Sequence, residues 1–140
     1  MLTREYLDKL IEVNPFSVLC KMEITEFGED FVVGRMPCVR DYQNPYGAMH
    51  GGSLYALADT VGGISAVNNT GSFVTTLDGH LNYLRAAMNT EYIYCRSDVL
   101  RAGGRIVVTD LSIYGDDGKV FCKGDFNYYR VQPIKEISEL

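Results

Sequence analysis

Tryptophan is absent from the 140 residues, histidine occurs twice and proline four times. No run approaches the roughly 18 apolar residues that a membrane-crossing helix needs, so no span is expected. The opening stretch MLTREYLDKLIEV carries charge throughout and has no apolar signal region, which points to a cytoplasmic protein. The four cysteines, Cys20, Cys38, Cys95 and Cys122, form no C-x-x-C pair and sit in apolar segments. A disulfide framework or a metal site is therefore not expected, and reduced, buried thiols are. Positive charge is also scarce: 13 Lys and Arg stand against 18 Asp and Glu, for a net charge of −5. That balance excludes the global basic footprint of a general nucleic-acid binder. The deficit lies in residues 1–84; the stretch 85–130 is slightly positive, so a polyanionic ligand would meet local Arg and Lys there.

What is present is ordinary globular composition, 46% hydrophobic and 22% charged. A chain this long buries roughly 70% of its unfolded surface. A single domain over 1–140 is expected. Residues 3–13 read as a short helix within an N-terminal helical segment 1–14, capped by Thr3 and ended by Asn14-Pro15. Residues 18–27 and 30–36 alternate as strands, and 37–50 is a loop punctuated by Pro37, Pro45 and Gly47. Residues 52–69 read as one helix, apolar almost all round, roughly 27 Å long and buried on nearly every side. Its face Tyr55–Asp59–Gly62–Gly63–Ala66 is mostly small, which allows a second helix or chain to approach. Four strand-like runs follow, 73–84, 91–101, 105–114 and 119–130, the last three joined by short glycine-bearing turns. The economical arrangement is an α+β fold in which a curved antiparallel sheet wraps one long central helix.

Asp59 is the most informative residue. An unpaired carboxylate on a buried helix costs several kcal/mol, so it persists where it is paired, hydrogen-bonded or useful. A structural Asp bonded to a neighbouring hydroxyl such as Thr60 is the plain alternative. His50-Gly51-Gly52 stands where the loop enters the helix. Amides at a helix start lack intrahelical partners and carry partial positive charge, which suits a carbonyl oxygen becoming an oxyanion. Glycines serving only a tight entry turn are the alternative there. In the 73–84 strand, simple alternation puts Phe73, Thr75, Leu77, Leu81 and Tyr83 on one face. Thr76, Asp78, His80 and Asn82 take the other, which a solvated surface also explains. Arg101-Ala-Gly-Gly-Arg105 is a basic turn, either a solvated hairpin or a fork for phosphate oxygens; Arg85 is a further phosphate candidate.

The segment N-P-Y-G-A-M-H-G-G-S-L-Y-A-L-A-D, Asn44 to Asp59, followed by V-T-T-L-D-G-H-L-N-Y-L-R-A, Val74 to Ala86, resembles the PaaI-like branch of the hotdog-fold acyl-CoA thioesterases. The resemblance runs from about residue 40 to residue 129. It implies the hotdog fold and a thioester hydrolase (EC 3.1.2.-) that converts acyl-CoA and water to a carboxylic acid and CoA. It implies no metal and no cofactor beyond the coenzyme A of the substrate. It further implies homodimers with interfacial active sites, paired into homotetramers. By position, Asp59 matches the catalytic carboxylate and Gly51 the oxyanion donor. Asn44 and His50 match polar groups around the carbonyl and water, and Thr76 matches a hydroxyl assisting the carboxylate across the interface. Arg101 and Arg105 match a turn near the nucleotide phosphates of CoA. Ala86-Ala87 replace a common proline, and Gly79 and His80 depart from the usual residues, which leaves the acyl specificity open. A non-catalytic acyl-CoA sensor and a hydroxyacyl-thioester dehydratase are the competing readings.

Overall fold

The computed structural model describes residues 1–140. Thr3 accepts a hydrogen bond from the Tyr6 amide at 3.1 Å and starts α1, Arg4–Glu12. Asn14 ends α1 and at once caps a second helix, α2, Pro15–Leu19, through its Oδ1 and the Phe16 and Ser17 amides. Proline at the first helical position costs no hydrogen bond. The expected strand from residue 18 therefore begins later, as β1, Glu23–Phe27. After β2, Phe31–Pro37, and a 3₁₀ turn at Arg40–Tyr42, the chain enters α3, Gly51–Thr70. His50 Nδ1 caps it by accepting from the Gly52 amide at 2.8 Å, and Gly71, at φ 65°, closes it. The helix runs one residue further at each end than 52–69 suggested. Strands β3, Ser72–Tyr83, β4, Tyr92–Ala102, β5, Ile106–Tyr114, and β6, Val120–Pro133, complete the fold.

The six strands form one antiparallel sheet in the order β1-β2-β4-β5-β6-β3. The sheet wraps α3, which packs on every strand from β2 to β6. Leu57, Val61, Ile93, Leu111, Ile113, Phe126 and Tyr128 are fully enclosed between them. Along β4 and β5 every second residue is buried, as a sheet with one covered face requires. Ser65 and Ser97 share a buried hydrogen bond of 2.8 Å that ties α3 to β4. Cys20, Cys95 and Cys122 are buried thiols and Cys38 is half-buried; burial pushes the Cys122 thiol up to about 11. No helix is long and apolar enough to cross a membrane.

Two packing details differ from simple pattern reading. Gly62 does not wait for another chain: a Cβ there would fall on the Tyr128 hydroxyl of the same chain. Gly79 likewise makes room for the Phe126 ring and the Tyr55 hydroxyl, and Tyr55 and Phe126 lie 4.8 Å apart between centroids. Phe126 is thus the keystone between α3, β3 and β6. Phe126→Ala should lower stability by about 3–5 kcal/mol, read as a shifted urea midpoint. An unchanged midpoint would show that the site collapses around the truncation.

Candidate active site

The sequence-selected residues fall into three groups: one at the entry to α3, one midway along α3 and on β3, and the arginines. The first is at the start of α3. Asn44 Oδ1 accepts from the Tyr46 and Ala48 amides at 2.9 and 3.2 Å, and its own amide donates to Ala48 O at 2.7 Å. This tight loop, with Gly47 at φ 82°, sets the approach to the helix. The His50 amide donates to Tyr42 O at 2.8 Å, so the imidazole and the first helical turn are held in place. Because His50 Nδ1 accepts from Gly52, a neutral ring carries its proton on Nε2, which is exposed. The Gly51 amide has no acceptor within the chain. It is the unpaired, partially positive N–H of a helix start. Tyr83 stacks on the other flank of Gly51 and donates its hydroxyl to Gly51 O at 2.7 Å.

The second group lies two turns along α3. Asp59 is half-buried, and its Oδ1 accepts from Thr76 Oγ1 at 2.7 Å within the same chain. The resemblance puts this hydroxyl across an interface; here the pair is intrachain, and Thr60 is not the partner. Asp59 Oδ2 takes no hydrogen bond from the chain. The carboxylate lines a depression of about 230 Å³ together with Thr60, Gly63, Val74 and Thr76. Beneath it the Tyr128 hydroxyl donates to Asp59 O at 2.9 Å and fixes the helix backbone. Burial first, then the Asp59 charge, pushes the Tyr128 phenol up, so it stays a donor.

Thr76 reaches Asp59 because β3 is bulged. The register slips between Thr76 and Asp78, so Leu77 is an extra residue. Before the bulge Val74 and Thr76 face the helix; after it Gly79, Leu81 and Tyr83 do. Strict alternation therefore misassigned Thr76 to the face of Asp78, His80 and Asn82. Asp78 instead pairs with Asn127 on the outer side, at 2.6 Å.

The arginines divide. Arg101 and Arg105 flank the exposed β4–β5 hairpin. The row Ala102, Val107, Tyr128, Thr76 crosses the sheet, so Val107 lies two strand spacings from Thr76, about 10 Å, and Arg105 stands two residues further along. Arg130 is committed to Gly103 O and Ser72 Oγ and braces that hairpin. Arg85 is at the other end of β3, beyond Tyr83, in a separate depression of about 330 Å³. Within one chain, then, Asp59 and Thr76 lie toward the end of the sheet that carries the Arg101–Arg105 hairpin, while Gly51, bonded to Tyr83, lies toward the end that carries Arg85. Eight helical residues, about 12 Å of rise, separate Gly51 from Asp59. Sequence reasoning missed Tyr83 and Tyr128, whose roles depend on the bulge and on the β3–β6 pairing.

The profile of the Thioesterase superfamily matches residues 46–122, the stretch that holds the helix start, Asp59 and Thr76. The chain belongs to the thioesterase superfamily. A Haemophilus influenzae protein bearing an esterase name is 32% identical over 122 residues, covering 86% of this chain and 87% of the relative. A solved Haemophilus influenzae thioesterase superposes with a TM-score of 0.85 at 27% identity, covering 97% of this chain and 95% of that one. A hypothetical thioesterase from Streptococcus pneumoniae, solved with coenzyme A, gives 0.76 at 26% identity, covering 81% and 88%. The superfamily member described here is a thioester hydrolase with the hotdog fold.

Proposed function

We propose that the protein hydrolyses acyl-CoA thioesters at a site shared by two copies of the chain. The reaction is acyl-CoA and water giving a carboxylic acid and CoA-SH. The carbonyl oxygen accepts from the Gly51 N–H of one chain, with Asn44 and the His50 Nε2–H beside it. Asp59 of the other chain takes a proton from water through Oδ2, and the hydroxide adds to the carbonyl carbon. The tetrahedral oxyanion collapses, the C–S bond breaks, and the thiolate takes up the proton. In the variant path Asp59 itself adds, giving an anhydride that water then opens. Thr76 orients the carboxylate in either path. Arg101 and Arg105, with Arg85 from the opposite end, offer guanidinium forks to the phosphates of CoA. Coenzyme A enters only as part of the substrate, and the scheme uses no metal.

The observation that carries this reading is the Asp59–Thr76 pair, a carboxylate with one oxygen held and the other open to a depression. Two chains are needed because 12 Å is too far for one carbonyl to span. Strand β3 is an edge, with Leu77 and Tyr83 each 51% exposed. A long open edge is a template for pairing with another strand. Antiparallel pairing of two β3 strands centred on His80, with Leu77 as the extra residue, sets Thr76 opposite Tyr83 of the second copy. That brings each Asp59 toward the other copy's Gly51. Packing of two such dimers gives the homotetramer.

The test is free-thiol release from acetyl-, hexanoyl-, dodecanoyl-, benzoyl- and phenylacetyl-CoA, with product identification. Free acid is the expected product. Binding without product would move the assignment to an acyl-CoA sensor, and an enoyl product from hydroxyacyl-CoA to a dehydratase.

A further inference from the structure

A groove of about 740 Å³ runs beside the start of α3, between α2 and the Arg40–Tyr42 turn. That lies within the roughly 300–1,000 Å³ of small-molecule sites. We propose that this groove takes the acyl chain of the thioester, and that the substrate is a medium- to long-chain aliphatic acyl thioester. The proposal rests on Gly51 as the donor to the reacting carbonyl.

Three observations lead there. The groove's lining includes His50, Gly52 and Ser53, the residues on either side of the free Gly51 amide. The opposite flank of Gly51 is closed by the Tyr83 ring, 3.5 Å from where a Gly51 Cβ would stand. The depression at Asp59 is less than a third as large and has to admit the attacking water. The groove is therefore the roomiest path for an acyl chain leaving the carbonyl, the depression at Arg85 being less than half as large.

The walls suit it. Phe16 and Leu19, two of the three large apolar residues that α2 leaves exposed, line the groove with side chains 50% and 69% exposed. Tyr42 and Val39 form the facing wall. The walls are braced: Tyr42 Oη donates to Leu19 O at 2.8 Å, and the His50 amide donates to Tyr42 O at 2.8 Å. Lys21, Asp41 and Gln43 also line the groove, and their polar ends can stay solvated. An acetyl group or a single aryl ring would leave most of the volume to water. Each methylene laid on the apolar wall instead adds binding of the non-directional kind that grows with chain length.

The experiment measures kcat/KM for acetyl-, butyryl-, octanoyl-, dodecanoyl- and benzoyl-CoA, below their micelle concentrations, for wild type, Leu19→Asp and Phe16→Ser. Both substituted side chains are solvent-facing, and circular dichroism checks the fold. In parallel, calorimetry measures binding of the same series to Asp59→Asn protein with and without Leu19→Asp, where the thioester survives. The expected wild-type series rises about two- to fourfold per methylene between butyryl and dodecanoyl, the larger figure corresponding to full burial of each. Either groove substitution should cut the dodecanoyl-to-butyryl ratio at least tenfold. A flat wild-type series, benzoyl turnover above dodecanoyl, or a steep series untouched by both substitutions would overturn the groove while leaving hydrolysis standing. Chain-length-dependent binding that Leu19→Asp abolishes, with no thiol released from any substrate, would uphold the groove and overturn the hydrolytic reading.

Discussion

Replacing Asp59 with asparagine should lower kcat on acyl-CoA by about 10²–10⁴, the usual contribution of a general base, while KM changes little. The substitution isolates the charge. Asparagine keeps an oxygen at Oδ1 to accept from Thr76 Oγ1, now 2.7 Å away, and adds no volume to the depression. The backbone anchor from Tyr128 to Asp59 O does not involve the side chain, so α3 stays seated. Only the capacity to take a proton, or to add to the carbonyl, is removed. Thr76→Val keeps the carboxylate but releases it, and a lost hydrogen bond to a charged group is worth about 1.5–3 kcal/mol, or roughly ten- to hundredfold. The ordering Asp59→Asn below Thr76→Val below wild type is therefore expected in steady-state assays. Single turnover in H₂¹⁸O tests the anhydride path: label appearing in Asp59 requires an anhydride opened at the Asp59 carbonyl. Near-wild-type kcat in Asp59→Asn would remove Asp59 from the chemistry.

The parts of this site that depend on local chain chemistry are readable in the sequence. Helix α3 announces itself because its apolar residues recur without interruption from Leu54 to Val67 and glycine stands at both ends. The hairpins at Gly103-Gly104 and Gly118 fix the antiparallel order of β4, β5 and β6. Asp59 stands out because a carboxylate is costly in such company. What period-2 reading loses is anything downstream of an inserted residue. One bulge at Leu77 reverses the phase of β3, so Thr76 and Tyr83 share a face that alternation separates. The short α2 is lost for a different reason: five residues carry too little periodicity, and Asn14-Pro15 reads equally as a helix stop and as a cap followed by a proline start. Gly62 looks like a contact for another chain because the sequence cannot say that Tyr128, 66 residues later, fills the space. The groove walls suffer the same limit, since Phe16, Tyr42 and Ser53 meet only through the folded entry to α3.

Mixing two inactive variants should restore activity. Gly51→Pro removes the proposed oxyanion N–H at a position that tolerates proline, the first residue of a helix. His50, at φ −60° and ψ 135°, already has the extended conformation that a residue before proline prefers. The fold should survive, while kcat falls about 10²–10³ for a lost oxyanion donor. Asp59→Asn protein is inactive for the other reason. When the two are unfolded together and refolded, or exchanged as subunits, half of the dimers contain one chain of each. In such a dimer one site unites a proline at 51 with an asparagine at 59 and is dead. The other site unites an intact Gly51 from one chain with an intact Asp59 from the other. One live site in half of the dimers gives about a quarter of wild-type activity per chain. If both groups came from the same chain, every site in every mixture would carry one lesion, and no recovery would appear at any ratio. Recovery is expected under the proposed shared site because about 12 Å of helix separates Gly51 from Asp59 within one chain, while the open β3 edge is free to pair with a second copy. A mixture that stays as inactive as its components, with subunit exchange verified by mass, would rule out the shared site.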